Sequence, residues 1–587
     1  MSLVSDSYAM LLPPGPEISA RPVKLFKVTS CLRYAIFKRK KNMTDKKPWG
    51  VLVLLISLFW LLTAGPGFSN STAFAMEFSG EVVDVKGQPI YKAVVRLQGT
   101  SFSTLTDRKG RFEINTDEAV SARYVTAWKQ GFYNGGQPVS NRDMKYRVVL
   151  NPIHPGDHEN YEWLPSMHEQ ETATVNLKPE LKRCQDCHPA VTEEWRRSTH
   201  ATSAVNPLFL AFFSRTDHQG RKGAGPDYKT DFPNSTGNCS TCHVPSLALK
   251  KPFNSDPREA RGVAKEGVSC DLCHKIYGAR IDQSGGYPGT LSLQFKRPPE
   301  GRQVFYGPYG DVFPGDDSYH PLYKDSRYCA PCHHGRFWDV LIYSEFQEWA
   351  DSEYAAKNIH CQGCHMTPDG RTARFAPEKE GGVLRHPETI PSHLFLGVSD
   401  RNFMTEAVDL NVRTETEEDI LSIIVTVKNV KAGHHYPTGN PMRNMILLVD
   451  VTDEKGHGLS LVSGERVPVW GGVGAVEEEN YAGLPGKGFA KVLRDSIPYP
   501  DGRGQRHFQP EYPAPHWRPT LIESDNRIPA MGSDISRYQY SVPPDLRGSI
   551  TITSRLIYRK AYKKWMDAKG FDMNEMEIAR KNLTLGR

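Results

Sequence analysis

Ten of the eleven cysteines in this 587-residue chain fall in five copies of one pentapeptide pattern: CQDCH (184–188), CSTCH (239–243), CDLCH (270–274), CAPCH (329–333) and CQGCH (361–365). Two thiols separated by two residues and followed at once by an imidazole form the attachment signature of c-type haem. The thiols add across the two vinyl groups of the porphyrin, and the histidine then sits under the iron as proximal ligand. The expected cofactor is therefore covalent haem c, five per chain. Its attachment residues are Cys184, Cys187, Cys239, Cys242, Cys270, Cys273, Cys329, Cys332, Cys361 and Cys364, and its proximal ligands are His188, His243, His274, His333 and His365. C-x-x-C pairs also occur as halves of zinc sites and, in exported proteins, as disulfides. Neither accounts for a histidine directly after every second cysteine. With 20 histidines in the chain, five such coincidences have a chance probability of about 10⁻⁸.

The eleventh cysteine, Cys31, lies in a segment of different character. Residues 51–64, VLVLLISLFWLLTA, are unbroken and apolar, with Lys46 and Lys47 before them and Gly65 and Pro66 after. The run is shorter than the roughly 20 residues of a membrane-spanning helix and has the length of a signal-peptide core. Ala73 and Ala75 offer a cleavage site; an uncleaved anchor is the competing reading, and Met43 is an alternative start. Residues 1–75 are thus read as a leader, and the chain as exported to a periplasmic, extracellular or cell-surface location. The net charge of +6 belongs to this leader: setting aside its ten basic and three acidic residues leaves 63 against 64, a net charge of −1. Nothing in that balance supports a nucleic-acid partner.

Beyond the leader the pattern of residues predicts a multidomain protein: an N-terminal β-sandwich, a haem-packed, mostly α and irregular central domain, and a C-terminal β-sandwich. Residues 77–151 alternate apolar and polar positions between Lys-Gly and Gly-Gly turns, the mark of short half-buried strands. This stretch also resembles the carboxypeptidase-regulatory-like module, through Gly80, Gly87, Pro89, Ala93, Leu97, Thr106, Asp107, Gly110 and Phe112; the resemblance implies stability or partner contact and no peptidase chemistry. Residues 152–176 are aperiodic and read as a linker. The haem region spans 177–397. Its first cysteines are 55, 31, 59 and 32 residues apart, an alternation that suggests either an internal duplication or a repeated haem-pair geometry, with chance as the alternative. Strand-like runs return over 405–560, as in LSIIVTVKNV and SITITSRLIYR, and predict the second sandwich. Residues 561–587 read as a charged helical tail.

Several strings narrow the family: EEWRRSTHA (193–201), EGVSCDLCHKI (266–276), YCAPCHHGRFWDVLIYSEFQEWADSEYA (328–355), HCQGCHM (360–366), SHLFLG (392–397) and GHHYPTG (433–439). With them the chain resembles the multihaem c-type cytochromes related to the tetrahaem cytochromes of the hydroxylamine-oxidation pathway. The resemblance covers the haem region and the C-terminal sandwich. It implies electron transfer through closely packed haems, each with two histidine ligands. By likeness to the family motifs the distal ligands are His200, His393 and His434, with His320 next; the fifth is left among His334, His360, His386 and His435. Met366 cannot reach across its own haem and is read as packing or as a ligand to a neighbour.

Ligation decides function. Two histidines per iron close the coordination sphere and give an electron-transfer haem, whereas a missing distal ligand opens the iron to substrate. The first reading is an electron carrier in an anaerobic-type or extracellular respiratory chain, with other cytochromes or a quinol-oxidising complex as redox partners. The second is an oxidoreductase with one open haem acting on a small nitrogen or sulfur compound; the chain has no C-x-x-C-K motif, unlike the usual cytochrome c nitrite reductases. The third is a surface or matrix cytochrome that docks through its sandwiches. A membrane contact is expected only through an uncleaved leader.

Overall fold

Strict alternation builds the first unit. The computed structural model describes residues 76–117, 120–140, 145–167, 183–281, 287–496, 508 and 511–586, so the expected leader lies outside the described residues. Seven strands come first: β1 (Met76–Asp84), β2 (Val94–Leu97), β3 (Ser103–Leu105), β4 (Arg111–Thr116), β5 (Tyr124–Trp128), β6 (Gly135–Pro138) and β7 (Lys145–Leu150). In β4 and β7 every second side chain is buried, as expected where one face of a sheet meets a core. The strands form two sheets, β4-β1-β7 and β3-β2-β5-β6, closed on Phe78, Val82, Val95, Phe112, Ile114, Val125 and Val148. Gly80 is required where β1 and β7 run parallel: a Cβ there would meet the Tyr146 carbonyl oxygen at 1.9 Å.

One turn recurs three times. In Asp84–Gly87, Asp107–Gly110 and Asp453–Gly456 the Asp Oδ1 accepts from the backbone N–H two and four residues on, at 2.8–2.9 Å. The glycine then takes φ of 78°, 73° and 86°, which only glycine adopts without strain. The string D-x-K-G thus reverses the chain in both sandwiches.

The central region is built from short pieces. Its longest helix, Pro189–Arg196, has eight residues. Three small strand pairs complete it: β8 (Ile276–Ala279) with β9 (Leu293–Phe295), β10 (Phe305–Gly307) with β11 (Asp317–Tyr319), and β12 (Gly335–Phe337) with β13 (Val340–Tyr343). Buried side-chain clusters here are small, such as Ile153, Val304 and Tyr306. Apolar side chains alone do not fill this centre. Among the described residues no helix is long and apolar enough to cross a membrane.

The second sandwich is larger: β14 (Val408–Glu417), β15 (Ile420–Asn429), β16 (Asn444–Thr452), β17 (Ser460–Ser463), β18 (Gly486–Asp495), β19 (Thr520–Asp525), β20 (Ser533–Ser541), β21 (Ile550–Arg559) and β22 (Met576–Leu585). The sheet orders are β14-β15-β20-β17 and β19-β18-β16-β21-β22. Strand β16 is apolar without alternation because both its faces are covered. Met445, Leu447 and Val449 point into the sandwich, while Ile446 and Leu448 join Trp470, Trp517, Trp565 and Phe212 on the outer side. Phe212 comes from the helix Pro207–Phe213, so this outer face fastens the sandwich to the central region.

Two expectations need correction. The tail over 561–587 is not all helix: after the short helix Lys563–Ala568 the chain forms β22, an edge strand antiparallel to β21 that buries Ile578. Its charged residues face outward from a sheet edge, and a one-dimensional reading of them favours a helix. Residues 152–176, read as a linker, are packed through their described part. Asp157 pairs with Arg297 at 2.6 Å, Tyr161 Oη donates to Asp271 at 2.8 Å, and Glu266 accepts from the Ser166 N–H at 3.0 Å. Partners a hundred or more residues away leave no periodicity to see.

The N-terminal sandwich is also fixed in place. Asp311 accepts from the Gly99 N–H at 2.9 Å and forms a buried bidentate pair with Arg385 at 2.7 and 3.1 Å. The Asn134 amide donates to the carbonyls of Tyr309 and Val312, and Trp128 meets Tyr319 edge-on at 4.7 Å.

Candidate haem sites

Each C-x-x-C-H string folds as one helical turn: Cys184–Cys187, Ser240–His243, Cys270–His274, Ala330–His333 and Cys361–His365. The N–H of the histidine closes the turn on the first cysteine's carbonyl, as for His188 at 2.8 Å, His243 at 3.1 Å and His333 at 3.2 Å. This brings two thiols and an imidazole to one side of a single turn, the arrangement needed to grip a porphyrin edge and its iron.

The imidazoles are oriented by their second nitrogen. Nδ1 faces the Phe375 carbonyl in His188 (3.1 Å), the Ser203 carbonyl in His243 (3.4 Å), the Tyr306 carbonyl in His274 (2.7 Å) and the Leu396 carbonyl in His365 (2.6 Å). In His333 it faces the Glu345 carboxylate at 3.5 Å. An acceptor at Nδ1 keeps the proton there and leaves the Nε2 lone pair for a metal, the usual outer-shell partner of a ligating histidine. All five motif histidines are set in this way. Burial lowers the pKa of His243 and His365 to about 4, which keeps them neutral and ligand-competent.

Thiols of different motifs meet. Cys184 lies beside Cys270, Cys242 beside Cys332, and Cys329 beside Cys361. Cys273 lies within electrostatic reach of both Cys329 and Cys332. Motif one therefore adjoins three, two adjoins four, and four adjoins five and three. Among the described residues all ten cysteines are free of disulfides, and no group of three or more His, Cys, Asp and Glu side chains is placed to hold a bare metal ion. The residues fit haem c and do not form zinc sites.

The expected distal histidines sort by position and by Nδ1. Two imidazoles bound to one ion, each nitrogen about 2 Å from it, have ring centres about 6 Å apart. His200 lies 6.5 Å from His333 and His434 lies 6.2 Å from His365. His434 Nδ1 faces the His435 carbonyl at 2.9 Å, which frees its Nε2. His393 is half-buried within reach of His274 and, more weakly, His188; Glu194 accepts from its backbone N–H at 2.7 Å. Burial depresses both His200 and His393 to about 3, and each has a buried Nδ1 without a hydrogen-bond partner.

Other candidates are placed differently. His320 Nδ1 accepts from the Leu322 N–H at 3.3 Å, and His360 Nδ1 accepts from the Ser326 N–H at 3.1 Å. Accepting there puts the proton on Nε2, the opposite of the tautomer of the motif histidines. His386 is exposed. His334 is buried against Phe346. The His435 backbone N–H donates to Glu348 at 3.1 Å. Met366 ends the last motif helix, and its carbonyl accepts from the Ser392 N–H.

One residue escaped the sequence reading. His516 is half-buried within reach of His243, and the desolvation of its imidazole depresses its pKa to about 4. Its Nε2 is 3.2 Å from the Tyr343 hydroxyl, and its buried Nδ1 has no partner. The neighbouring residues hold it. Asp231 accepts from Trp517 Nε1 at 2.7 Å and from the Arg518 guanidinium at 2.7 and 2.8 Å. The string APHW carries no ligand signature; only the docking of the C-terminal sandwich brings it to motif two.

Residues 183–275, which contain the first three motifs, match the family model described as cytochrome c554 and c-prime. Among solved structures the chain is similar to a penta-heme cytochrome c552 from Thermochromatium tepidum, at 18% identity and a TM-score of 0.47, covering 68% of this chain and 97% of that one. A second similarity, to the Fcho1 Mu homology domain of Danio rerio with bound Eps15 peptide, has 8% identity and a TM-score of 0.13 and covers 31% and 44% of the two chains. No curated protein matches. Over the matched segment 183–275 the chain is thus similar to cytochrome c554 and c-prime, and its repeated motifs and oriented histidines suit covalent haem c.

Proposed function

We propose that this chain is an exported carrier of five haems that passes electrons between redox proteins of an anaerobic-type or extracellular respiratory chain. The observation that carries the reading is the uniform setting of the five motif histidines, each with Nδ1 on an acceptor, together with half-buried histidines near four of the motifs: His200, His393, His434 and His516. When bound, the haems supply one-electron ferric–ferrous couples. The chain's own residues orient the imidazoles and hold the motifs side by side, so that electrons move without a change of fold. The thiol contacts support a path from motif one through three to four, branching to two and five.

The apolar run 51–64 supports export to the periplasm or cell surface, by a signal peptide or an anchor. The N-terminal sandwich, clamped through Asp311, acts as a brace for the haem region and leaves its other face for partners.

A second reading rests on one observation. His393 is shared between His274 and His188, and His188 is exposed. The iron of motif one is the position where a small nitrogen or sulfur compound would bind. Intact mass and spectroscopy test both readings. The purified protein should exceed its polypeptide mass by five haems; four or fewer would sink the count. A wholly low-spin ferric spectrum supports the carrier, and a high-spin signal from one haem that shifts on adding a small ligand such as nitrite or sulfite supports the second reading.

A further inference from the structure

Four of the five motif histidines rest Nδ1 on a neutral backbone carbonyl; His333 alone rests it on a carboxylate, that of Glu345 at 3.5 Å. The position is built. Glu345 opens the helix Glu345–Ala350 directly after β13, and its second oxygen, Oε2, is buried without a hydrogen-bond partner. One turn on, Glu348 is neutralised by Arg527 at 2.8 Å and bonded by Ser344 and Thr438. Arg443, which approaches the same Gly439 as Glu345, donates to the Thr438 carbonyl at 3.1 Å. The charge of Glu345 is thus nearest the His333 imidazole, and it reaches His365 and Lys491 more weakly.

A carboxylate behind a ligating imidazole raises the basicity of that ligand and gives it imidazolate character. It stabilises ferric over ferrous iron, and the effect is large where the surroundings are dry. The affected motif is the junction, since its cysteines adjoin those of motifs two, three and five. We propose that Glu345 is a positioning residue that lowers the reduction potential of the haem held by Cys329, Cys332 and His333 below what a carbonyl partner would give, so that an electron reaching the branch point leaves it readily toward its neighbours. This rests on the five-haem reading above.

The test is a spectroelectrochemical titration of the holoprotein, wild type against Glu345→Gln, with haem content measured on both. The Gln variant keeps the shape and removes the charge. One of the five midpoints should move upward by at least tenfold in its oxidised-to-reduced ratio, about 59 mV for one electron, the midpoint of the His365 haem by less, while the other three stay. If the Gln variant does not load five haems, Glu345→Asp replaces it. Retraction by one methylene lengthens the contact, and one midpoint should again rise, by less. Five unmoved midpoints in either loaded variant overturn the proposal, and so does a uniform displacement of all five. A wild type with fewer than five haems defeats the five-haem reading itself, whereas five haems with no selective shift defeats this inference alone.

Discussion

Asp231→Asn tests whether the C-terminal sandwich completes a haem site. Asp231 and Arg518 are 3% and 4% exposed at their side chains, so their pairing takes place out of water. Removing one partner of such a pair strands the other charge and costs about 3–5 kcal/mol. Asp495, 3.4 Å from Arg518, retains part of the compensation, which places the expected loss near about 3 kcal/mol. That cost falls on the segment carrying His516, Trp517 and Arg518. At 1.36 kcal/mol per tenfold, it weakens the docked position of His516 by roughly two orders of magnitude. The predicted result is a high-spin ferric signal from one haem in the variant, with the other haems unchanged, and a lower urea midpoint. The assay is electron paramagnetic resonance on the holoprotein beside a denaturation curve. A variant with wild-type stability and no high-spin signal would refute both the energetic argument and the place given to His516.

Three further outcomes follow from the same geometry. Alanine at His200, His434 or His516 should each convert one haem to high spin, whereas alanine at His320 or His360 should leave the spectrum unaltered; magnetic spectroscopy of the five variants decides. For Asp311, burial works to raise the carboxyl and Arg385 more than offsets it, so its pKa lies below the usual range. Its contribution is therefore present above about pH 4, the unfolded value, and is lost as pH falls through the folded one. Asp311→Asn should cost about 3–5 kcal/mol at pH 7, and the gap to wild type should narrow in urea titrations near pH 3. Gly80→Ala forces a Cβ onto the Tyr146 carbonyl and should destabilise the N-terminal sandwich by about 1–3 kcal/mol, the range for overpacking. Proteolytic release of that unit at lower temperature is the measurement.

The attachment chemistry was legible in sequence because it is local. Two thiols and an imidazole must lie within five residues to reach one porphyrin, so Cys184 to His188 and its four repeats declare themselves without any fold. Both sandwiches were legible for a similar reason: alternation in β4 and β7 and the repeated D-x-K-G turn are short-range consequences of a half-buried strand and its reversal. What faces each iron is a different matter. His516 stands 273 residues beyond His243 in the chain, and only the Asp231 clamp and the covered outer face of β16 bring it near. The Nδ1 partners Phe375, Tyr306 and Leu396 contribute backbone oxygens, which every residue has, so no side chain marks them. The packing of 152–167 and the edge strand β22 were missed on the same ground. Tertiary structure also distinguished His434, with its proton held away from the iron side, from His320 and His360, whose tautomers point the other way. Covalent attachment is thus written in consecutive residues, while the second ligand and the charge behind the first depend on which distant segments the fold brings together.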